Sequence, residues 1–356
     1  MSVYKAGIIG CGRPRREENA TGFGQGHIHA EGYKASPDCE LVAAADISQE
    51  NLDRFCEEHS VPGRYLDHRE MLSEETLDIV SVCVWPHLHL QLCADAARAG
   101  VKAIHCEKPI APTWGESKAL VAVCDEHNVQ LTFNHQRRFG FPFRKARELL
   151  DAGAIGQLVR LEAFCPNLYD WGTHWFDMMF MYNDETPVEW VIGQIDAREA
   201  RPVFGVAVES QGLSLFQWRN GVQGLMLTGA KSSEGARGDY CGNRLIGTEG
   251  VIEVGVRDGP QLRLRNLESG GQWREVDVAG GIHGGDSVKA GIQDLADALK
   301  TGREPELSGR RALQATELIF ATYESSRRRG RVDLPLEIED SPLLSMLERG
   351  EVGTSR

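Results

Sequence analysis

The chain has 356 residues, 41% of them hydrophobic, with 52 acidic against 39 basic side chains and a formal net charge of -13. That length exceeds what one core usually fills, so two domains are expected. The acidic balance argues against a nucleic-acid partner, which needs a concentrated basic face, and no apolar run approaches the roughly twenty residues that cross a bilayer. The one basic run, Arg327-Arg328-Arg329-Gly330-Arg331, reads as a helix end whose charge complements the helix dipole.

Val3 to Ile9 leads straight into glycines, leaving no room for a cleavable leader, and a cytoplasmic location is expected. The nine cysteines are scattered singly with no C-x-x-C pair and read as reduced, buried thiols.

In chain order, short apolar strands are expected at Ala6 to Gly10, Leu41 to Asp46, Ile79 to Val84, Ala103 to Cys106 and Val129 to Phe133. Amphipathic helices alternate with them, which predicts a doubly wound parallel sheet over residues 1–133. Thr113 and Glu116 make a capping box for the helix running towards His127. Beyond Phe133 a helix from Pro142 to Asp151 precedes long strand-like segments: Leu158 to Phe164, Trp190 to Ala197, Val206 to Trp218 and Val222 to Thr228. Further strands are expected at Arg244 to Gly247, Val251 to Val254 and Leu262 to Arg265, followed by helices over 287–300 and 309–329. Residues 134–356 thus predict a second α/β domain built on a largely antiparallel sheet.

Gly10-Cys11-Gly12 follows the first strand and Asp46 closes the second. A dinucleotide pyrophosphate meeting a helix N-terminus, with an acid on its ribose, needs that arrangement. On the glycines alone, a tight ligand-free turn is an equal rival. The next glycine, Gly26, stands fourteen residues after Gly12 rather than three, an insertion of eleven. A carboxylate at Asp46 favours NAD over NADP, although the inserted Arg13, Arg15 and Arg16 could face a 2′-phosphate. Glu107-Lys108-Pro109 at the carboxyl end of a strand lies where open α/β sheets bind ligands. Asp170-Trp171-Gly172-Thr173-His174 adds a carboxylate and an imidazole at helical spacing. Oxidising an alcohol requires a base near the hydroxyl, a group to orient it and a cation for the developing alkoxide; His174, Asp170 and Lys108 have those chemistries.

Taken together, Gly10-x-Gly12, Gly26-x-x-His29-Ala30, Glu107-Lys108-Pro109, Arg138-Phe139 and Asp170-x-x-x-His174 resemble the glucose-fructose oxidoreductase and inositol dehydrogenase (Gfo/Idh/MocA) family over nearly the whole chain. The resemblance implies an N-terminal Rossmann domain, a C-terminal domain with an open-faced sheet, and NAD-dependent oxidation of a secondary alcohol of a sugar, glycoside or cyclitol. It implies Lys108 as the active-site lysine, His174 as the proton acceptor and Asp170 as its partner; an imidazole, ordinarily near 6.5, suits a base at neutrality better than a lysine near 10.4. Gly10, Cys11, Gly12, Gly26, His29, Asp46, Ile47, Trp85, Pro86, His89, Glu107 and Lys108 are the expected cofactor contacts. Lys108, Arg138, Trp171, His174 and Trp175 are the expected substrate contacts.

The family's usual T-P-N-x-x-H is here Val84-Trp85-Pro86-His87-Leu88-His89, which puts a tryptophan at the nicotinamide edge. By periodicity alone Trp171 and Trp175 read first as a core stripe with Met178 and Tyr182, and only their adjacency to His174 raises the substrate reading. Asp177 either orients His174 or serves a local network. Arg137 and Arg138 suit a substrate anion or a structural acid alike. His27-x-His29 and His87-x-His89 have no third ligand nearby in sequence, so no catalytic metal is expected. An uncovered sheet face implies a homodimer or homotetramer. The rival functions are an enzyme that retains NAD and uses transient oxidation for glycoside cleavage or elimination, and a non-catalytic NAD- and sugar-binding sensor.

Overall fold

The computed structural model describes residues 3–13, 24–229, 241–256 and 258–353. The chain forms two compact units. The first comprises the chain up to Pro112, Glu116–Gln136 and Gly285–Leu313; the second comprises Thr113–Gly115, Arg137–Gly284 and everything from Gln314 onward. Inserted Arg15 and Arg16 lie outside the described residues.

In the first unit β1 (Tyr4–Ile9), β2 (Cys39–Ala45), β3 (Gly63–Tyr65), β4 (Ile79–Val82), β5 (Ala103–Cys106) and β6 (Gln130–Phe133) form one sheet in the order β3-β2-β1-β4-β5-β6. Every pairing is parallel. β4 and β5 are buried throughout, as strands covered on both faces must be. The strand order reverses between β1 and β4, which opens a crevice at the carboxyl edge. α1 (Gln25–Ala35), α2 (Gln49–His59), α3 (His68–Glu74), α4 (Pro86–Arg98) and α5 (Trp114–Glu126) fill the crossovers. α5 begins directly after Thr113, as the capping box requires. β3 was not expected, because three residues are too few for a periodic signal.

The chain leaves the first unit briefly at Thr113–Gly115 and again after Gln136, and the segment Gly285–Leu313 returns to it. Its long helix buries Val288, Ile292, Leu295 and Ala296 in a cluster with Ala30, Tyr33, Ala44 and Phe55. The Ile292 side chain takes the space a Cβ on Gly32 would occupy. An apolar stripe shows that a helix is covered; it does not say which sheet covers it.

The second unit carries α6 (Phe141–Asp151), β7 (Leu158–Cys165), α7 (Thr173–Tyr182), β8 (Val188–Asp196), β9 (Arg201–Val203), β10 (Val206–Val208), β11 (Gln211–Trp218), β12 (Gln223–Gly229), β13 (Cys241–Gly247), β14 (Gly250–Val256), β15 (Leu262–Asn266), β16 (Arg274–Glu275) and β17 (Val332–Asp333), with α8 (Gly285–Thr301) of the first unit falling between β16 and β17 in the chain. Nine strands make a mixed, mostly antiparallel sheet in the order β16-β15-β14-β13-β7-β12-β11-β8-β17, and β12 with β7 is parallel. The run expected as one strand from Val206 to Trp218 is two, Val206–Val208 and Gln211–Trp218. Glu209 breaks it: its buried carboxylate accepts bonds from Leu168 N (2.6 Å), Thr228 Oγ1 (2.8 Å) and Tyr323 Oη (2.7 Å), so it cannot lie flat in a ladder facing solvent. From Gln314 onward α9 (Gly309–Arg328) belongs to the second unit and backs this sheet; Ser325 and Ser326 accept backbone N–H bonds from Gly193 and Ile195. Ile192 and Leu213 remain exposed on it.

The basic run at the end of α9 is drawn into ion pairs, Arg327 with Glu324 and Asp340, Arg328 with Glu324, and Arg331 with Asp333. Among the described residues no helix is long and apolar enough to cross a membrane. Eight cysteines of the described residues are free thiols.

Candidate active site

The glycine turn is built by two close approaches at the end of β1. Gly10 has φ +93°, and a Cβ there would lie 2.6 Å from the Cys83 carbonyl oxygen; a Cβ on Gly26 would lie 2.6 Å from the Gly10 carbonyl oxygen. Both positions require glycine because backbone meets backbone. Gly26 therefore does the packing duty of the third glycine even after the insertion. Gly12, at φ +61°, has no atom of the other described residues within 4 Å of where a Cβ would stand. α1 starts at an N-cap glycine, Gly24, without a side-chain cap, leaving first-turn N–H groups suited to an anion.

Asp46 sits at the carboxyl end of β2. Its Oδ2 accepts from Cys11 N (2.9 Å) and Gly12 N (3.0 Å), and its Oδ1 accepts from Ser48 N (2.8 Å). Ile47 beside it is 96% exposed, and Trp85 and Leu88 are exposed where α4 begins with Pro86 at its first turn. Apolar side chains left open beside a glycine cradle and an acid fit a dinucleotide's flat rings, its pyrophosphate and its ribose. Arg13 pairs with Glu50 at 2.9 Å and Asn51 at 3.3 Å.

Glu107, Lys108 and the family histidines form the other half of this edge. His29 is fully enclosed: Nδ1 meets Ser81 Oγ at 3.0 Å and Nε2 meets Glu107 Oε1 at 3.0 Å. Tyr33 Oη bonds Ser81 Oγ at 2.7 Å, and Asn134 Nδ2 donates to Glu107 Oε1 at 2.7 Å. The Lys108 N–H donates to Glu107 Oε2 at 3.3 Å. Burial by itself would raise the Glu107 carboxyl, but the bond and charge of His29, then Asn134 and Lys108, outweigh it and hold the pKa down to about 2. Glu107 is therefore a fixed anion whose partners set the backbone direction from which Lys108, partly exposed, projects. His89 is also enclosed, its two ring nitrogens 3.0 Å from the Ile110 and Val84 carbonyls; burial lowers its pKa. The contacts expected of His29 and His89 with cofactor are thus replaced by contacts within the protein. Ser81, Tyr33 and Asn134 belong to no sequence motif, although a serine inside the buried Ile79-Val80-Ser81-Val82 strand signals that a polar partner must exist.

In the second unit Asp170 and Trp171 lie on a π-helical turn, Leu168–Gly172, and His174 is the second residue of α7. Asn167 shapes the turn, its Oδ1 accepting from Asp170 N at 2.7 Å and its carbonyl from Gly172 N at 2.9 Å. Glu209 anchors the same turn through Leu168 N; burial raises its pKa against those hydrogen bonds. The expected regular helical spacing between Asp170 and His174 is therefore interrupted, a feature frequent at functional sites. Both side chains are largely buried and Trp171 is half-buried. The Arg137 guanidinium lies 4.5 Å from the Trp175 ring and 5.6 Å from that of Trp171, whose edge meets His283 at 5.9 Å.

Trp175 corrects the sequence expectation. It is enclosed with Met178 and Tyr182, packs 6.0 Å from Phe143, and fills the space beside Gly242; it belongs to the core stripe. Arg138 is enclosed as well, held by both oxygens of Asp177 at 2.8 Å and by Glu185 at 2.6 Å. Asp177 serves that network, and Arg138 meets acids of the protein in place of a substrate anion.

Residues 4–135 match the oxidoreductase family with NAD-binding Rossmann fold, and residues 160–334 match that family's C-terminal alpha/beta domain. The chain belongs to the Gfo/Idh/MocA oxidoreductase family. Its cofactor is NAD, and it is an enzyme acting on CH–OH groups. A D-apiose dehydrogenase of Paraburkholderia graminis is 26% identical over 98% of this chain and 94% of its own. A myo-inositol 2-dehydrogenase of Thermotoga maritima is 29% identical over 43% of this chain and 42% of its own. Scyllo-inositol dehydrogenase of Lactobacillus casei, solved with NAD(H) and scyllo-inositol, shares the fold: TM-score 0.70 and 20% identity, covering 93% of this chain and 99% of that one.

Proposed function

We propose that this member of the family oxidises a secondary alcohol of a sugar, glycoside or cyclitol to a ketone, or reduces the ketone. The observation that carries the reading is the carboxyl edge of the first sheet, where the glycine cradle, the Asp46 carboxylate and the Glu107-anchored Lys108 all emerge. The names of the relatives support the substrate class.

Bound NAD supplies the hydride acceptor. With NAD bound, the Gly12 and first-turn N–H groups of α1 would hold the pyrophosphate, and Asp46 would accept from the ribose hydroxyls, where its charge would disfavour a 2′-phosphate. Trp85 closes the nicotinamide edge. The Lys108 ammonium donates to the carbinol oxygen and stabilises the alkoxide as charge develops. His174 accepts the hydroxyl proton on a ring nitrogen, oriented by Asp170, and Trp171 offers an aromatic face to the sugar ring. His29, His89 and Arg138 act by positioning, from inside the protein. The exposed Ile192 and Leu213 of the open sheet meet a second copy of the chain.

The test is reduced-nicotinamide absorbance on mixing protein and NAD with a panel of aldoses, apiose, cyclitols and glycosides. Absorbance should grow with at least one member, and Lys108→Ala and His174→Gln should each lose it while NADH still binds. Silence across the panel with NADH bound overturns the dehydrogenase in favour of a retained-cofactor enzyme or a sensor; activity retained by His174→Gln moves the base to Lys108.

A further inference from the structure

Neither histidine pair of the sequence is used as a pair. His29 turns to Ser81 and Glu107, and His89 to two carbonyls. His27, two residues before His29 on α1, turns the other way and meets the last turn of α2. There Nδ1 of His27 lies 2.8 Å from Nε2 of His59. The neighbouring Glu58 presents one carboxylate oxygen to each of these nitrogens, Oε2 at 3.5 Å from His27 and Oε1 at 3.8 Å from His59. The three donors lie within 4.8 Å of one another.

We propose that His27, His59 and Glu58 form a site for one divalent transition-metal ion of the zinc class. Metal–nitrogen bonds of 2.0–2.1 Å at tetrahedral angles set donors about 3.3 Å apart, and the three observed separations straddle that figure. An N–H···N bond between two imidazoles satisfies both facing nitrogens without an ion. It does not account for a carboxylate that addresses the same two nitrogens with separate oxygens. In the metal-bound form the ring protons sit on the far nitrogens, His27 Nε2 and His59 Nδ1, and the cation neutralises the two facing lone pairs.

The donors are preorganised by packing. Phe55, one turn before His59 on α2, is enclosed and meets the His27 ring edge-on at 5.0 Å and the His59 ring at 4.7 Å. The Glu58 side chain is 47% exposed, which opens one side for entry of the ion and for a water as fourth ligand. Two imidazoles, a carboxylate and a water suit zinc, nickel or copper; magnesium and calcium prefer oxygen. The ion would tie the first turn of α1 to the last turn of α2. α1 begins at the residues packed on the glycine turn, so the site braces the cofactor loop and takes no part in the redox step.

The full-length protein, stripped with chelator and desalted, is titrated with Zn²⁺ against a chromophoric indicator, and with Co²⁺ by visible absorption. One saturable equivalent is expected, with a tetrahedral Co²⁺ spectrum lacking a thiolate charge-transfer band, and Zn²⁺ should raise the melting temperature. His27→Asn and His59→Asn should each weaken Zn²⁺ by more than about a hundredfold. Should either buried substitution unfold the protein, Glu58→Gln, at an exposed position, should still weaken Zn²⁺ about tenfold. No saturable equivalent, a thiolate band, or an affinity unchanged by Glu58→Gln and by a folded histidine variant overturns the site.

Discussion

Asp46 accepts the backbone N–H of Gly12 at 3.0 Å through the same oxygen that accepts Cys11 N. The acid expected on the ribose thus holds the glycine turn closed before cofactor arrives, and one side chain links the loop's order to cofactor choice. Asp46→Ala should weaken NADH by about 10–100-fold, the range for a charge-assisted hydrogen bond, and weaken NADPH less, since a repulsive charge goes too. Parallel fluorescence titrations with the two reduced nucleotides measure this. An unchanged NADH to NADPH ratio would remove Asp46 from cofactor selection.

Glu107 makes a pH prediction. Its folded value of about 2 lies below the ordinary 4.5, so the stability it contributes is complete above 4.5 and is lost as pH falls through that range towards 2. The difference in urea midpoint between wild type and Glu107→Gln should be constant above pH 4.5 and shrink below it. A difference that grows on acidification would mean the carboxyl is not held as an anion.

Arg138 should matter for stability. With Arg138→Ala, Asp177 and Glu185 face each other without their cation, and breaking a buried pair in this way costs about 3–5 kcal/mol. Chemical denaturation should show a fall of that order. A variant of wild-type stability with a raised KM would restore the substrate contact expected from the sequence.

Leu213 is 39% exposed beside Ile192 on the open sheet. Leu213→Asp, which sets an unpaired charge into any interface formed there, should shift the mass by light scattering from oligomer towards monomer. A wild-type monomer at micromolar concentration would place no interface on that face.

His174→Gln and Lys108→Ala should separate under single-turnover conditions. Loss of a general base costs on the order of 10²–10⁴ in rate, so His174→Gln should recover rate as pH rises and hydroxide substitutes. Lys108→Ala should not, because no solvent species replaces a positioned cation. Identical pH profiles would collapse the two roles into one.

Much of this was legible because strands and helices write periodic signals. The five expected strands of the first unit, the start of α5 just after Thr113 and the helix after residue 309 are all found within a few residues. Local exceptions escaped. The three-residue β3 has no period, the break at Glu209 depends on Leu168, Thr228 and Tyr323 from distant segments, and the π-helical turn under Asp170 depends on Asn167 and Glu209. Trp175 shows the same limit from the other side, since a tryptophan next to a proposed base looks alike in sequence whether it faces a ligand or Phe143.

The sequence by itself determined the parallel sheet, the cofactor edge and the family, because backbone reach and the order of glycines, acid and lysine along the chain constrain them locally. Only the tertiary structure decided which polar side chains face one another. It turned His29 to Glu107, Arg138 to Asp177 and His27 to His59 across 32 residues. Partner choice in a buried site is settled by which groups burial leaves no water to satisfy, and that depends on every element packed around them.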